Sequence, residues 1–178
     1  MARYVAFLRA INLGSARRFG NAEIRAATEA TGATDVATYG GTGNVRLTSS
    51  ARSAGRVQEA LERAYAADRG FDVPVVVFTT AELRELTERG SELRDRHVAG
   101  ARHYVTLYAA PPPAVAAHAV QALELPGERC VVAGRAAYAV LDGDVHTSRL
   151  LGSRELASLG QGTARTITVL RALVERWC

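Results

Sequence analysis

The sequence predicts an α+β fold made of two successive sheet-forming segments, and three observations carry that prediction. Short runs rich in valine, tyrosine and phenylalanine alternate with longer stretches whose apolar residues recur at helical spacing. Over the first ninety residues these runs fall in the order β-α-β-β-α-β-α, the order of the split βαβ motif. Residues 102–141 then read β-α-β-β, the first four elements over again. The expected architecture is two ferredoxin-like subdomains, βαββαβ over residues 1–95 and βαββ with C-terminal helices over residues 96–178. Two packed sheets or one continuous sheet would both satisfy this order. A charged stretch around 90–101, with Gly90, Ser91, Arg94, Asp95, Arg96 and Gly100, marks the boundary.

Each element has its own signal. Residues 3–8 alternate and hold aromatic and β-branched types, a strand pattern, and a loop rich in glycine and arginine follows. Asn21 is placed to cap a helix whose residues Ile24, Ala27 and Thr28 share a face and which stops at Gly32. Strands are expected at Val36 to Tyr39 and Asn44 to Leu47, broken by Gly40-Gly41-Thr42-Gly43. Ser53 or Gly55 opens a helix through Asp68, with Val57, Ala60, Leu61, Ala64 and Tyr65 along one side. Val75 to Phe78 is a continuous apolar run, as in a strand covered on both faces, and Thr80 is placed to cap the helix that follows. In the second half, 102–108 reads as a strand and Pro111-Pro112-Pro113 leads into an alanine-rich helix ending near Leu123. Strands at Glu128 to Val132 and Ala136 to Leu141 flank Gly134-Arg135, and helices are expected near Ser153 to Leu159 and from about Ala164 to Trp177.

Composition narrows the functional classes. The 178 residues carry 22 basic side chains, all arginine, against 18 acidic ones, for a formal charge of +4. Alanine fills 33 positions, and the apolar fraction is 48%. Mean hydropathy near zero with 22% charged residues excludes a disordered tail, a collagen-like repeat and a membrane bundle. The surplus of positive charge is uneven. Residues 1–50 hold six arginines and three acids and 151–178 hold four and two, whereas 51–100 hold eight and nine and 101–150 four and four. Cys130 lies in an apolar run and Cys178 is the last residue, so neither a disulfide framework nor a zinc cluster is indicated. The apolar run near the start is broken by Arg9, unlike a signal peptide, and no apolar stretch reaches 18 residues. A cytoplasmic protein without a membrane association is expected.

Four segments are candidates for chemistry. Arg9-Ala10-Ile11-Asn12-Leu13-Gly14-Ser15-Ala16-Arg17-Arg18 follows a strand and precedes a helix, where backbone N–H groups collect anions and arginine forks grip phosphate or carboxylate. It lacks both GxGxxG and the P-loop lysine, so a solvated basic loop is the competing reading. Gly40-Gly41-Thr42-Gly43-Asn44 joins two strands, and its glycines are explained equally by positive φ or a bulge. Asp142, Asp144 and His146 alternate as metal ligands on one strand face would, although Asp142-Gly143 after an apolar strand is foremost the signal of a hairpin turn. Gly160-Gln161-Gly162-Thr163-Ala164-Arg165-Thr166 opens the last helix, where Thr163 is either part of an anion loop or an N-cap. His97, His103 and His118 are isolated, there is no Gly-x-Ser-x-Gly elbow, and Cys178 has no histidine near it in sequence.

Tyr4-Val5-Ala6-Phe7-Leu8-Arg9-Ala10-Ile11-Asn12-Leu13-Gly14, Tyr39-Gly40-Gly41-Thr42-Gly43-Asn44-Val45 and Gly162-Thr163-Ala164-Arg165 together resemble the bacterial domain-of-unknown-function family sixteen ninety-seven. Its members read Tyr-x-Ala-Leu-Leu-Arg-Gly-Ile-Asn-Val-Gly-Gly, then Tyr-x-Gln-Ser-Gly-Asn-Val, then Thr-x-Arg-Asn-Trp-Asn-Thr-Val. The resemblance implies an α+β fold with ferredoxin-like units and carries no activity, cofactor or substrate with it. Arg9, Asn12, Gly14, Gly43, Asn44, Thr163 and Arg165 match its polar positions. Ala10 replaces a glycine, Gly41-Thr42 replaces Gln-Ser, and Ser15-Ala16 stands where glycine and lysine are usual. Thr166-Ile167-Thr168-Val169 replaces Asn-Trp-Asn-Thr, which removes two amides and an indole.

Three functions are compatible with these residues. The first is a metal-free, cofactor-free binding protein for a small anionic ligand such as a nucleotide or phosphate. Its site would be Arg9, Asn12, Gly14, Gly43, Asn44, Thr163 and Arg165, with Arg9, Asn12, Asn44 and Arg165 converging at one edge. The second is an enzyme acting on a phosphorylated or carboxylated small molecule in that pocket, with His146 or Asp144 as base. The third is nucleic-acid binding through sheet faces, where Tyr4, Tyr39, Tyr104 and Tyr108 would stack, although no RNP-like Arg-Gly-Phe cluster accompanies them. The apolar strands would also permit a homodimer.

Overall fold

A computed structural model describes residues 1–12, 17–95 and 101–178, the side chains of 94 and 95 excepted. The chain divides into two compact units, Met1–Leu83 with Leu173–Cys178, and Arg84–Ala172. Each is built on a four-stranded antiparallel sheet.

The first unit contains β1 (Ala2–Leu8), α1 (Asn21–Glu29), β2 (Thr34–Tyr39), β3 (Asn44–Ser49), α2 (Ala54–Arg69) and β4 (Val75–Thr79), with sheet order β2-β3-β1-β4. Alternation along the strands decides which residues meet the helices. Tyr4, Ala6 and Leu8 of β1 join Val45, Leu47, Val75 and Val77 in one core with Ile24 and Ala27 of α1 and Val57, Leu61 and Tyr65 of α2. Each fully buried aliphatic side chain there contributes about 1.5–3 kcal/mol of transfer free energy. The Tyr65 hydroxyl is satisfied by Thr28 Oγ1 at 2.7 Å, and burial pushes its pKa up to about 12. Helix α2 starts at an N-cap, Ser53, whose hydroxyl accepts from the Arg56 N–H, and ends at left-handed Gly70.

Helix α3 (Thr80–Asp95) follows β4 and enters the second unit at Arg84; that unit continues with β5 (Arg102–Leu107), α4 (Ala114–Gln121), β6 (Glu128–Ala133), β7 (Ala136–Leu141), a 3-10 turn at Val145–Thr147, α5 (Arg154–Ala157), β8 (Thr163–Thr166) and the start of α6 (Ile167–Trp177), whose residues from Leu173 belong to the first unit. Its sheet runs β6-β7-β5-β8. Tyr108, Val120, Cys130, Ala137, Ala139, Leu141, Leu150 and Leu159 form the core on the α4 side. Helix α3 meets the opposite face through Gly90, where a Cβ would lie 2.6 Å from Ile167 Cδ1 and 3.1 Å from the Tyr138 ring. The Tyr138 hydroxyl donates to the Leu86 carbonyl at 2.9 Å.

Four expectations are corrected. Gly20 stands at the N-cap of α1 in place of Asn21, and its N–H is bound by the Glu23 carboxylate at 2.7 Å. The cap at the start of α3 is Thr79, one residue before Thr80. Its Oγ1 accepts from the Glu82 N–H, and the Glu82 carboxylate accepts from the Thr79 N–H in return. Asp142-Gly143 leads β7 into the 3-10 turn and not into a paired strand. Finally, Thr163–Thr166 is a strand: the open edge of β5 supplies ladder partners from Tyr104 to Leu107, and this tertiary pairing overrides the helical period of the residues that follow.

Candidate functional site

The loop after β1 is set by its backbone before any side chain acts. The Leu8 N–H donates to the Gly43 carbonyl at 2.8 Å and the Arg9 N–H to the Pro74 carbonyl at 2.9 Å, so the end of β1 is fixed between the β2–β3 turn and the start of β4. Ala10 and Asn12 then both adopt left-handed backbone, φ 57° each. Such conformations cost roughly 1–3 kcal/mol in a non-glycine residue and persist where the surroundings enforce them. Asn12 supplies that enforcement. Its N–H donates to the Arg17 carbonyl, its Oδ1 accepts from the Phe19 N–H at 3.0 Å, and its Nδ2 donates to the Gly41 carbonyl at 2.9 Å. Arg17 reaches the Ala10 carbonyl at 3.4 Å and lies over the Phe71 ring.

Asn12 therefore joins the arginine-bearing loop to the Gly40–Asn44 turn, two segments 29 residues apart in sequence. Asn44, almost fully buried, shapes the turn from inside: its Nδ2 donates to the Tyr39 carbonyl at 2.9 Å and to Thr42 Oγ1 at 3.1 Å. Gly43 has φ 72°, and a Cβ there would come within 2.7 Å of Leu8 Cβ and 2.8 Å of Ile11 Cδ1. Arg9, Asn12, Gly43 and Asn44 are thus assembled at one end of the first sheet, with the two amides engaged by main chain and Arg9 half-buried. Gly14 lies outside the described residues.

Thr163 and Arg165 belong to the second unit. Alternation places both on the buried side of β8, Thr163 at 5% and Arg165 at 8% exposure, while Ala164 between them is exposed. Arg165 Nη1 donates to Thr163 Oγ1 and to the Ala164 carbonyl, each at 2.8 Å. Burial lowers the guanidinium pKa to about 10, so it keeps its charge at neutral pH. Gly162 lets β8 approach β5: a Cβ there would fall 2.5 Å from Thr106 Cγ2 and 2.8 Å from the Leu107 carbonyl oxygen.

Register equates the two sheets. Val5 pairs with Arg46 and Phe78 in the first, and Val105 pairs with Tyr138 and Arg165 in the second. Phe78, 2% exposed, thus occupies in the first sheet the place that Arg165 takes in the second. Each row holds one arginine and one aromatic, on opposite strands. Arg46, on the inner strand β3, is partly buried and pairs with Asp35 at 2.6 Å. Arg165, on the edge strand β8, is the more deeply buried of the two.

The remaining candidates resolve individually. Asp144 accepts the His146 N–H at 2.7 Å in a local turn, and among the described residues no group of three acidic, histidine or cysteine side chains could hold a metal. His103 is buried, His118 is exposed, and His97 lies outside the described residues. Burial pushes the Cys130 thiol up to about 11, which leaves it protonated and unreactive at neutral pH. Tyr4 and Tyr108 are core residues, while Tyr39 and Tyr104 are half-buried. Among the described residues no helix is long and apolar enough to cross a membrane. The stacking of Arg17 on Phe71 and the packing of Tyr39 on α6 escaped the sequence, because each depends on contacts between separate segments.

A mixed α+β chain with two four-stranded antiparallel sheets, its polar motif gathered at strand ends, is the class these features define. The chain belongs to the family described as "Protein of unknown function (DUF1697)", whose profile matches residues 1–138. Arg165 and β8 lie beyond that match. The conserved bacterial protein SP0830 from Streptococcus pneumoniae has a similar structure, with a TM-score of 0.73 at 22% identity, covering 99% of this chain and 98% of that one. That likeness is one of fold. No curated protein matches the chain.

Proposed function

We propose that this chain binds a small anionic ligand, a phosphate or nucleotide, with arginine in place of a metal as the source of positive charge. Arg9 and Arg165, each within its own unit, are the anion-contacting side chains. Asn12, Gly43 and Asn44 shape the loop and turn that present Arg9, and Thr163 orients Arg165. In the same reading each sheet with its helices is a ferredoxin-like unit, supported by the strand orders β2-β3-β1-β4 and β6-β7-β5-β8.

The observation that carries the proposal is Arg165 at the place where the first sheet holds Phe78. Desolvating a guanidinium is unfavourable, and apolar residues in such places are commonly neutral or stabilising by about 1–4 kcal/mol. An arginine kept there against that gradient has a use other than stability. Arg165→Leu is accordingly expected to keep or raise the melting temperature while weakening inorganic phosphate binding at least tenfold by calorimetry. A variant that unfolds readily, or binds phosphate as the wild type does, would give Arg165 a purely structural role.

A further inference from the structure

The first unit carries a second feature beside the Asn12–Gly41 clasp. Tyr39, the last residue of β2, is half-buried, and the exposed Arg176 of α6 lies over its ring with Cζ 5.3 Å from the centroid. Trp177 meets the same ring edge-on at 6.3 Å and 84°, and its carbonyl accepts from Arg3 Nη1 at 3.4 Å. Tyr39 is thereby held from one side by a buried indole. Among the described residues Arg176 makes no ion pair, whereas Arg46 on the neighbouring strand is neutralised by Asp35 at 2.6 Å.

We propose that the Arg176–Tyr39 pair is a stacking platform for a nucleobase, so that the anion bound by this chain is the phosphate of a mononucleotide. The proposal rests on the anion-binding reading above and adds the group attached to the anion. A guanidinium set over a tyrosine ring offers a planar, cationic group to solvent, and bases stack on such planes as they do on aromatic rings. Position supports the assignment. Tyr39 is two residues before Gly41, whose carbonyl receives the Asn12 amide, and two residues of extended chain span at most about 7 Å. The Tyr39 carbonyl is itself fixed by the Asn44 amide, so turn and platform share one support. The Leu8 N–H holds the Gly43 carbonyl of the same turn, so Arg9 and the platform border one turn.

The test is calorimetric titration of the full chain with AMP, ribose 5-phosphate, inorganic phosphate and adenosine, for the wild type and for Arg176→Ala, Arg176→Lys and Tyr39→Leu. Stacking of one base should make AMP bind about tenfold or more tighter than ribose 5-phosphate. Arg176→Ala and Tyr39→Leu should remove that difference, and Arg176→Lys, which keeps the charge and loses the plane, should remove it too. Arg176 is exposed, so its variants are expected to melt as the wild type does. Equal affinity for AMP and ribose 5-phosphate in the wild type overturns the platform while leaving the anion site intact. So does a full rescue by Arg176→Lys, which would reduce Arg176 to a point charge. Adenosine binding as tightly as AMP, with no binding of phosphate, overturns the anion reading and keeps the platform. Silence from all four compounds ends both.

Discussion

Gly43 shows how much of this site is decided by single atoms. The residue combines a left-handed backbone with van der Waals contact on Leu8 and Ile11, and Gly41, two positions earlier, has neither constraint. Gly43→Ala is expected to lower stability by roughly 2–4 kcal/mol, from backbone strain plus overpacking. Gly41→Ala should stay within about 0.5 kcal/mol of the wild type, as a surface change away from special geometry does. Urea denaturation of the pair reads this directly, and equal midpoints would contradict the geometry at Gly43. The sequence marked both asparagines and the glycine run, yet the work of the asparagines was hidden. Asn12 reads as a ligand group until its partners, Phe19 seven residues away and Gly41 twenty-nine away, are seen to be backbone. A polar side chain in a loop carries no sign of whether water, ligand or main chain will satisfy it.

At the scale of elements, β8 was the one strand the sequence concealed. Thr163-Ala164-Arg165-Thr166 is too short to show a period, and the strong helical pattern of Leu170, Leu173 and Trp177 extends backwards over it. Its strand character comes from the edge of β5 and from Gly162, whose missing Cβ permits the approach. Gly162→Ala is expected to loosen β8 selectively. Hydrogen exchange should quicken at the amides paired across β5 and β8, with little change between β6 and β7, and unchanged protection in β8 would show that the contact yields without effect. The loop after the 3-10 turn is held by another element-scale device. The Glu128 carboxylate accepts from Ser148 Oγ and from the N–H groups of Leu150 and Arg149. Desolvation works to raise its pKa, but these hydrogen bonds and the Arg149 charge outweigh it and hold the pKa below the ordinary value of 4.5. A folded-state pKa depressed in this way stabilises the protein above the unfolded value and loses that contribution as the pH falls through the folded one. The melting-temperature gap between wild type and Glu128→Gln should therefore be constant above about pH 5.5 and close in more acidic solution. A gap that ignores pH would mean that the charge is not what holds the loop.

Across the whole molecule, the two sheets were legible because strand and helix periods differ and because the second half repeats the order of the first. Seven of the eight strands follow from that pattern. What the pattern could not supply was register, and register is what equates Arg165 with Phe78 and turns an ordinary arginine into a buried charge set against an apolar counterpart. The arginine surplus at the two ends of the sequence likewise gained meaning only as positions: Arg9 just after the end of β1, held there through the Pro74 carbonyl, Arg165 inside β8, Arg176 on Tyr39. The central claim is that Arg9 and Arg165 are anion-contacting residues. Calorimetric titration with inorganic phosphate, for the wild type, Arg9→Ala and Arg165→Leu, tests it most directly. Each change is expected to weaken binding at least tenfold, about 1.4 kcal/mol. A wild type that does not bind phosphate, or variants that bind it as the wild type does, would contradict it.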